Sequence, residues 1–281
     1  MALVAAMSEA FDAPPHQRMA HRDGVLHEAV FRSSGYAADL SDFAGFREGV
    51  ELRAFVRFSG VFAPLDRRDI KGMAVKLVMP DDDITDLVAM SLDVFPVRRS
   101  RHFVQLIDAV ARGGPRAVAD VLFLVATRRV SLRALLTGLR VWLTSTDYRA
   151  TTYHGVQTFH LVRAARDGRS TERRPMRYRW VPESPATPAD GAPLRFRLEL
   201  VLGDPSWPGL EDPVRRWPAG APTVRAGDLV VGDVINEPPG LGFNPVVLSA
   251  GIDPGEDDIF SGRAGAYPLA HLNRYRPPGA G

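Results

Sequence analysis

Four polar side chains near the C-terminal end have the spacing of a single helix face. Arg263, Tyr267, His271 and Arg274 are separated by four, four and three residues, so in a helix they share one side. This set makes a poor core stripe, but it suits a phenol that binds a ferric ion. A free phenol has a pKa of about 10 and is a weak ligand near neutral pH, whereas an arginine one turn away favours the phenolate. The spacing therefore predicts a helix whose face suits Tyr267 as a metal ligand supported by Arg263, with a buried tyrosine whose hydroxyl is hydrogen-bonded as the alternative.

Further segments, found in a fixed order along the chain, resemble the haem catalases. Residues 263–274 resemble the proximal helix of that family, and the segment that includes His21 resembles its distal-histidine region. The others resemble its barrel strands and the stretch before the proximal helix. The segments are 18–24, 56–59, 72–76, 155–159 and 243–257. Their shared order identifies the chain as similar to a minimal catalase core, of the catalase-related peroxidase or allene-oxide-synthase-like type.

The resemblance implies a role for individual residues. It implies haem, expected to be haem b, with the Tyr267 phenolate as axial ligand. His21 corresponds to the distal acid–base group, because a neutral imidazole can move a proton between two oxygens, and Ser59 corresponds to the residue that orients it. Asp69 corresponds to a substrate-channel aspartate, with a surface carboxylate as the alternative. The remaining cofactor contacts implied are Arg18, Arg57 and Arg274 on the propionates, Phe95 and Phe103 on the ring, and Arg263 and His271 on the proximal helix.

Three positions depart from the family pattern. Met90 stands where catalases have a distal asparagine, and a thioether can accept a hydrogen bond only weakly and cannot donate one. Gln157 replaces the histidine that lies near the proximal arginine, and 269–270, Leu-Ala, replaces a polar pair before His271. We therefore expect a more apolar distal pocket, with Met90 weakening the binding of a second hydrogen peroxide.

The hydrophobic periodicity predicts an α+β fold. Alternation over 50–58 and the apolar run at 73–79 indicate strands, and helical spacing begins near residue 101. Further strands are predicted at 155–163, 177–181, 194–203 and 228–232. The resemblance implies an antiparallel β-barrel of the catalase type, with a helical insertion over about 101–145 and a terminal proximal-ligand helix. We expect a short N-terminal arm over 1–17 and a single haem domain over 18–281.

The amino-acid composition argues against several kinds of binding partner and excludes some kinds of site. The net charge of +2 is too small to argue for nucleic acid or a membrane surface. Without cysteine there can be no disulfide and no thiolate-ligated haem. We read no signal peptide at the start and expect no membrane span, so a cytoplasmic location is predicted. The expected partners are a small peroxide and an organic reductant, with a homodimer left open.

The sequence favours a haem peroxidase over three alternatives. In this interpretation a hydroperoxide is cleaved heterolytically at ferric haem and an organic co-substrate is oxidised. The first alternative is a weak or true catalase that disproportionates hydrogen peroxide. The second is a haem enzyme that rearranges its hydroperoxide or oxidises a biosynthetic intermediate, and the third is a non-catalytic haem-binding protein.

Overall fold

A computed structural model describes residues 21–61, 63–112, 114–144, 147–165, 170–183, 193–263 and 267. Within these ranges ten strands form one antiparallel sheet. They are β1 (Gly24–Ser33), β2 (Glu51–Gly60), β3 (Lys71–Val78), β4 (Ile84–Met90), β5 (Tyr153–His154), β6 (Phe159–Ala164), β7 (Thr171–Pro182), β8 (Leu194–Leu202), β9 (Thr223–Ile235) and β10 (Ile252–Pro254). A short 3₁₀ helix, Ala44–Phe46, lies between β1 and β2.

Eight of these strands close into a barrel. The order around it is β7, β5, β4, β3, β2, β1, β9 and β8, and β8 pairs with β7 to complete the circle. Strand β6 pairs with β7 outside this circle, and β10 pairs with β6. Closure leaves the eight barrel strands without a free edge, which is the usual way an antiparallel sheet avoids pairing with other chains.

The barrel interior is the main hydrophobic core. Alternate residues of each strand face inward, as the period of two requires, and aromatic rings fill the centre. Phe58, for example, has its ring centroid 5.8 Å from that of Phe196 and 6.0 Å from that of Tyr153. Trp180 is completely buried, and its ring is perpendicular to that of Phe31 with the two centroids 6.3 Å apart. Because these positions are inside, the intervening residues of β2, β3 and β4 form an outer face that is available for a site.

Three helices form the insertion between β4 and β5. They are α1 (Ser100–Arg112), α2 (Gly114–Ala126) and α3 (Leu132–Thr144). A second, smaller core lies beneath them and includes Phe95, Leu106, Leu124 and Ile259. No helix in the described part of the chain combines the length and apolarity needed to cross a bilayer.

The α+β barrel with a helical insertion and a terminal helical segment is confirmed. The strands predicted at 177–181 and 228–232 lie within β7 and β9, and the strand predicted at 194–203 matches β8 except for its last residue. One strand prediction was wrong in part, because 155–163 is not continuous. The chain leaves β5 after His154 and re-enters the sheet only at Phe159. A Cβ atom on Gly155 would lie 2.5 Å from the Tyr178 ring, so the chain here packs closely on that ring in an irregular conformation.

Candidate active site

One lateral row of the sheet brings together residues that are far apart in the sequence. Ser59 on β2 pairs with Gly72 on β3, Gly72 pairs with Met90 on β4, and Met90 pairs with His154 on β5. Directly opposed residues of antiparallel strands point to the same face. This row therefore lies on one outer face of the barrel, opposite the aromatic core.

His21 is held above this row by Ser59 and Gly72. Its Nδ1 lies 2.9 Å from Ser59 Oγ. Its backbone φ is 56°, a left-handed conformation that few residues other than glycine adopt. A Cβ atom on Gly72 would lie 2.8 Å from His21 Cε1 and 2.9 Å from its Nδ1. The imidazole thus occupies space that only a glycine at position 72 leaves open. Backbone strain of this kind is characteristic of functional positions.

Met90 and His154 continue the row beyond the imidazole. Met90 is half-buried and packs against the second core, as an unbranched thioether readily does. Burial, opposed by Asp93 and assisted by Arg179 and Arg216, lowers the pKa of His154 to about 4. His154 is therefore a neutral imidazole at pH 7 and lies directly opposite Met90.

The outer face next to this row carries small apolar side chains and a buried cation. Ala74 on β3 and Val88 on β4 are register partners and remain partly exposed. Arg57 pairs with Ala74 from β2 and is 6% exposed. Its Nη2 donates to the Arg22 carbonyl over 3.1 Å, and its Nε lies 3.4 Å from Glu237 Oε2. Small apolar side chains beside a guanidinium are compatible with a porphyrin ring and its carboxylates.

The tyrosine and arginine of the terminal helical segment meet as the spacing predicted. Arg263 Nη2 donates to Tyr267 Oη over 2.7 Å, and Arg263 Nη1 donates to Gln157 Oε1 over 3.0 Å. Gln157 is 1% exposed, and its Nε2 has no hydrogen-bond partner among the described residues. The amide of Gln157 therefore holds the guanidinium on one side, and the guanidinium donates to the phenol oxygen on the other.

Asp257 begins the helical segment that carries this pair. Its Oδ1 accepts from Phe260 N over 2.9 Å, which is the N-cap geometry for the helix that starts at residue 258. Burial raises the pKa of Asp257, while hydrogen bonds from the backbone of Phe260 and Ile259 and the charge of Arg263 act against that rise. The cap fixes where the helix starts, and so fixes the direction in which Arg263 points.

Tyr178 of β7 is hydrogen-bonded to β4, the strand that carries Met90. Its hydroxyl donates to the Val88 carbonyl over 2.8 Å. Burial raises the pKa of Tyr178 well above the usual value, with the Arg263 charge acting in the opposite direction and Tyr267 adding to the rise.

Phe95 and Phe103 lie beside the same region. Their ring centroids are 5.1 Å apart at an interplanar angle of 45°, and both belong to the second core, to which Ile259 of the terminal segment also contributes. The two rings therefore pack together next to the start of the tyrosine-bearing helix, where the resemblance implied a pocket wall.

The alternative interpretation of Asp69 as a surface carboxylate was wrong, and its assignment to a substrate channel stays a prediction. Asp69 is completely buried and accepts hydrogen bonds from the backbone of Ala63 and Ile70, at 2.8 Å and 2.7 Å. It shapes the turn between β2 and β3. Three of the predicted cofactor contacts, Arg18, His271 and Arg274, lie outside the described residues.

Sequence reasoning missed three residues whose place in the site is set by close packing or by strand register. Gly72 was noted only as part of a strand segment, and His154 and Tyr178 were not noted at all. Glycine-rich strands often mark a close approach, so Gly72 had a weak local signal. His154 had none, since only the pairing of β4 with β5 places it next to Met90.

The outer-face histidine, the arginine-supported tyrosine and the eight-stranded barrel together match one family. The family model described as Catalase matches residues 13–182, more than half of the chain. The chain belongs to the catalase family. Catalase-family proteins bind haem and are oxidoreductase enzymes, so this chain is an oxidoreductase.

Known proteins similar to this catalase-family chain fall into two groups. Two relatives called catalase-related peroxidase come from Mycolicibacterium paratuberculosis, 26% identical over 297 residues, and from Synechococcus elongatus, 23% identical over 305 residues. The alignments cover 91% and 98% of this chain and 88% of each relative. A fungal catalase structure and catalase A from Saccharomyces cerevisiae have TM-scores of 0.78 and 0.77, each at 17% identity, over 98% and 97% of this chain. The chain spans only 63% and 64% of those two catalases, and they establish the fold.

Proposed function

We propose that this chain is a haem-dependent peroxidase that reduces hydroperoxides, organic ones as well as hydrogen peroxide, and oxidises an organic co-substrate. The observation that carries the proposal is the position of Met90 in the row of Ser59 and Gly72, beside the imidazole of His21. The names of its two relatives, catalase-related peroxidases, agree with it. Haem b, a single haem domain over 18–281 and a cytoplasmic location are part of the same proposal, the last to be tested by cell fractionation.

The donor set of the described residues fits haem. Tyr267, supported by Arg263, would bind the iron, and Arg57 would bind the propionates, together with Arg18 and Arg274 from outside the described residues. Phe95 and Phe103 would pack against the ring edge. When bound, ferric haem supplies the redox chemistry that cleaves the oxygen–oxygen bond and oxidises the co-substrate.

His21 would move the proton that this cleavage requires. If its Nδ1–H donates to Ser59 Oγ, the lone pair on Nε2 is the basic site. Nε2 can then accept the proton of the hydroperoxide and return it to the departing oxygen, so that water or an alcohol leaves instead of a poor anionic leaving group. Ser59 fixes the tautomer and Gly72 fixes the ring position, which makes both of them positioning residues.

Met90 distinguishes the peroxidase from a catalase. Hydrogen peroxide as reductant has to be oriented by donors and acceptors, and the Met90 thioether supplies no donor. An apolar side chain at this point costs little for a hydroperoxide with an apolar substituent. We therefore expect organic hydroperoxides to react well and oxygen evolution from hydrogen peroxide to be slow.

The test compares oxygen evolution with dye oxidation by the haem-loaded protein. With cumene hydroperoxide and a phenolic dye, turnover should be readily measured, while hydrogen peroxide alone should release little oxygen. The variant Met90→Asn should raise oxygen release by about tenfold or more, because an amide donor is restored. His21→Ala should keep the Soret band and lose reactivity with every peroxide.

Three outcomes would reject parts of this proposal. Oxygen release by the unmodified protein at rates typical of catalases would make it a true catalase. Conversion of a fatty-acid hydroperoxide without consumption of any reductant would identify a rearranging enzyme. A Soret band that no peroxide alters would leave a haem-binding protein without catalysis.

A further inference from the structure

The helical insertion exposes an unusual number of large apolar side chains. In the described chain, nine of the twelve large hydrophobic residues that are exposed lie on α1, α2 and α3. They are Val110, Val118, Leu122, Phe123, Leu132, Leu136, Leu139, Trp142 and Leu143. Patches of this kind on a folded protein mark a surface that binds another apolar surface.

The leucines of helix α3 lie on its solvent-exposed side. Leu132, Leu136, Leu139 and Leu143 recur at spacings of four, three and four, so they form one stripe, and each is about half exposed. The less exposed side of the helix carries Ala134, which is 3% exposed, together with the partly exposed Leu135, Thr137, Gly138 and Val141. The four leucines of the stripe therefore lie on the more exposed side of α3, where they are available to an external apolar phase.

Arginines accompany the leucines. The insertion 100–144 contains seven arginines and two aspartates, a net charge of +5, although the whole chain has only +2. Arg133 and Arg140 border the leucine stripe and line an open groove of about 590 Å³ together with Leu132 and Leu136. Arg116, Arg133 and Arg140 are exposed and form no ion pair within the described residues. This leaves their charge available to an anionic partner.

A second copy of this chain is a poor occupant of the face. A symmetric dimer would place this face against itself and so bring two net charges of +5 together. Like charges in apposition cost several kcal/mol at an interface. An apolar stripe bordered by unpaired arginines, with a tryptophan 47% exposed at its end, instead has the composition of helices that lie in the headgroup region of a bilayer.

We propose that the outer face of α1–α3 binds the surface of a membrane that contains anionic lipids. The leucines and Trp142 would enter the boundary between headgroups and acyl chains, and the arginines would bind phosphate groups. Binding would be reversible and confined to one leaflet. The proposal is independent of the reaction catalysed, and its failure leaves the proposed function unchanged.

Vesicle sedimentation tests the proposal with the haem-loaded full chain. Vesicles of phosphatidylcholine alone are compared with vesicles that also contain phosphatidylglycerol, at low and high salt. We expect at least about tenfold stronger partition to the anionic vesicles, decreasing with salt. The double variant Arg133→Gln and Arg140→Gln should weaken partition about 25-fold, or about fivefold per arginine. Leu136→Ser with Leu139→Ser should weaken it to a similar or greater degree.

Matched variants on the barrel are the controls. Arg47→Gln with Arg68→Gln removes two exposed arginines outside the insertion, and Val234→Ser removes an exposed apolar side chain, 64% exposed, from β9. Neither should alter partition by more than about twofold. All variants change exposed side chains. Their Soret bands and melting curves should match those of the unmodified protein, as a check that they are folded.

Four results would overturn the proposal. The first is the absence of partition to either kind of vesicle. The second is a loss of partition in the control variants equal to that in the insertion variants, which would mean that only the net charge of the whole chain matters. A concentration-dependent dimer, measured by light scattering and dissolved by Leu136→Ser with Leu139→Ser, would assign the face to a second copy. Binding to soluble polyglutamate without vesicle partition would assign it to an acidic protein.

Discussion

At the scale of single residues, the position of His21 depends on a glycine. His21 adopts a left-handed backbone conformation, which costs about 1 kcal/mol or more for a residue with a Cβ atom. Ser59 and Gly72 compensate by a hydrogen bond and by open space. The His21 imidazole is therefore placed as much by the missing side chain of Gly72 as by its hydrogen bond to Ser59.

Replacing Gly72 by alanine tests this placement. The new methyl group would displace the imidazole, and a displacement of about 1 Å reduces reactivity by about 10²-fold. Haem content, measured by the Soret band, should not change, because no proposed haem ligand is altered. Gly220→Ala is the control, since nothing lies within 4 Å of a Cβ atom there. Unchanged peroxide reactivity in Gly72→Ala would mean that His21 is not the proton carrier.

Arg263, which donates a hydrogen bond to Tyr267, should also affect haem binding. Arg263→Leu removes the hydrogen bonds to Tyr267 and Gln157, and the phenol oxygen then loses its cationic donor. We expect haem affinity to decrease by about tenfold or more, as a charge-assisted hydrogen bond is worth about 1.5–3 kcal/mol. Arg263→Lys should keep most of the affinity. Haem titration followed by absorbance measures both, and equal affinities for Leu and Lys would contradict the role given to the charge.

At the scale of elements, a buried ion pair attaches the segment after β9 to the barrel. Lys76 on β3 donates to both oxygens of Asp86 on β4, at 2.7 Å and 2.9 Å, and Asn244 N donates to Asp86 Oδ2 over 2.7 Å. Lys76 also lies over the Phe243 ring, 5.6 Å from its centroid. Burial raises the pKa of Asp86, while Lys76 and the Asn244 amide act to lower it.

Lys76→Met should therefore destabilise the protein strongly. It leaves a buried carboxylate without its cation, at a cost of about 3–5 kcal/mol at pH 7. Without Lys76 the folded-state pKa of Asp86 lies further above its unfolded value, so the loss is largest above that pKa and shrinks as the pH falls through it. Thermal melts at several pH values measure this. The double variant Lys76→Met with Asp86→Leu should recover most of the stability, and a loss that does not depend on pH would contradict this account.

At the scale of the whole molecule, charge pairs cross the strands that close the barrel. Glu199 on β8 accepts from Arg179 of β7 over 2.6 Å and from Arg197 over 2.7 Å. Burial alone would raise the pKa of Glu199, but the hydrogen bonds and charges of Arg179 and Arg197 outweigh it and lower the pKa. A lowered folded-state pKa stabilises the fold above the unfolded pKa, and that contribution is lost as the pH falls through the folded pKa.

Glu199→Gln should thus lower the melting temperature at pH 7 and have little effect in acid. Its partners are 39% and 31% exposed in their side chains, so solvent screening limits the loss to about 1 kcal/mol. Glu51→Gln is a suitable control, because the Arg32–Glu51 pair is more than half exposed on both sides and is expected to contribute almost nothing. Equal losses in the two variants would contradict the role of closure.

The charge distribution is also a property of the whole molecule. Composition alone argued against a membrane surface, since +2 is small. The positive charge is concentrated in one continuous segment, 100–144, which an average over the chain conceals. The fold then exposes the leucines of the same segment. The same leucine spacing is compatible with a helix packed against a core, so exposure was not predictable from periodicity.

The sequence by itself determined the residue types and the local periods. Alternation predicted the barrel strands, and the spacing of Arg263 and Tyr267 predicted their contact, because residues four apart in a helix are neighbours whatever surrounds them. Only the tertiary structure decided which strands pair and in what register. Register placed Ser59, Gly72, Met90 and His154 in one row. Those neighbours are set by hydrogen bonds between distant segments, on which local propensity has no influence.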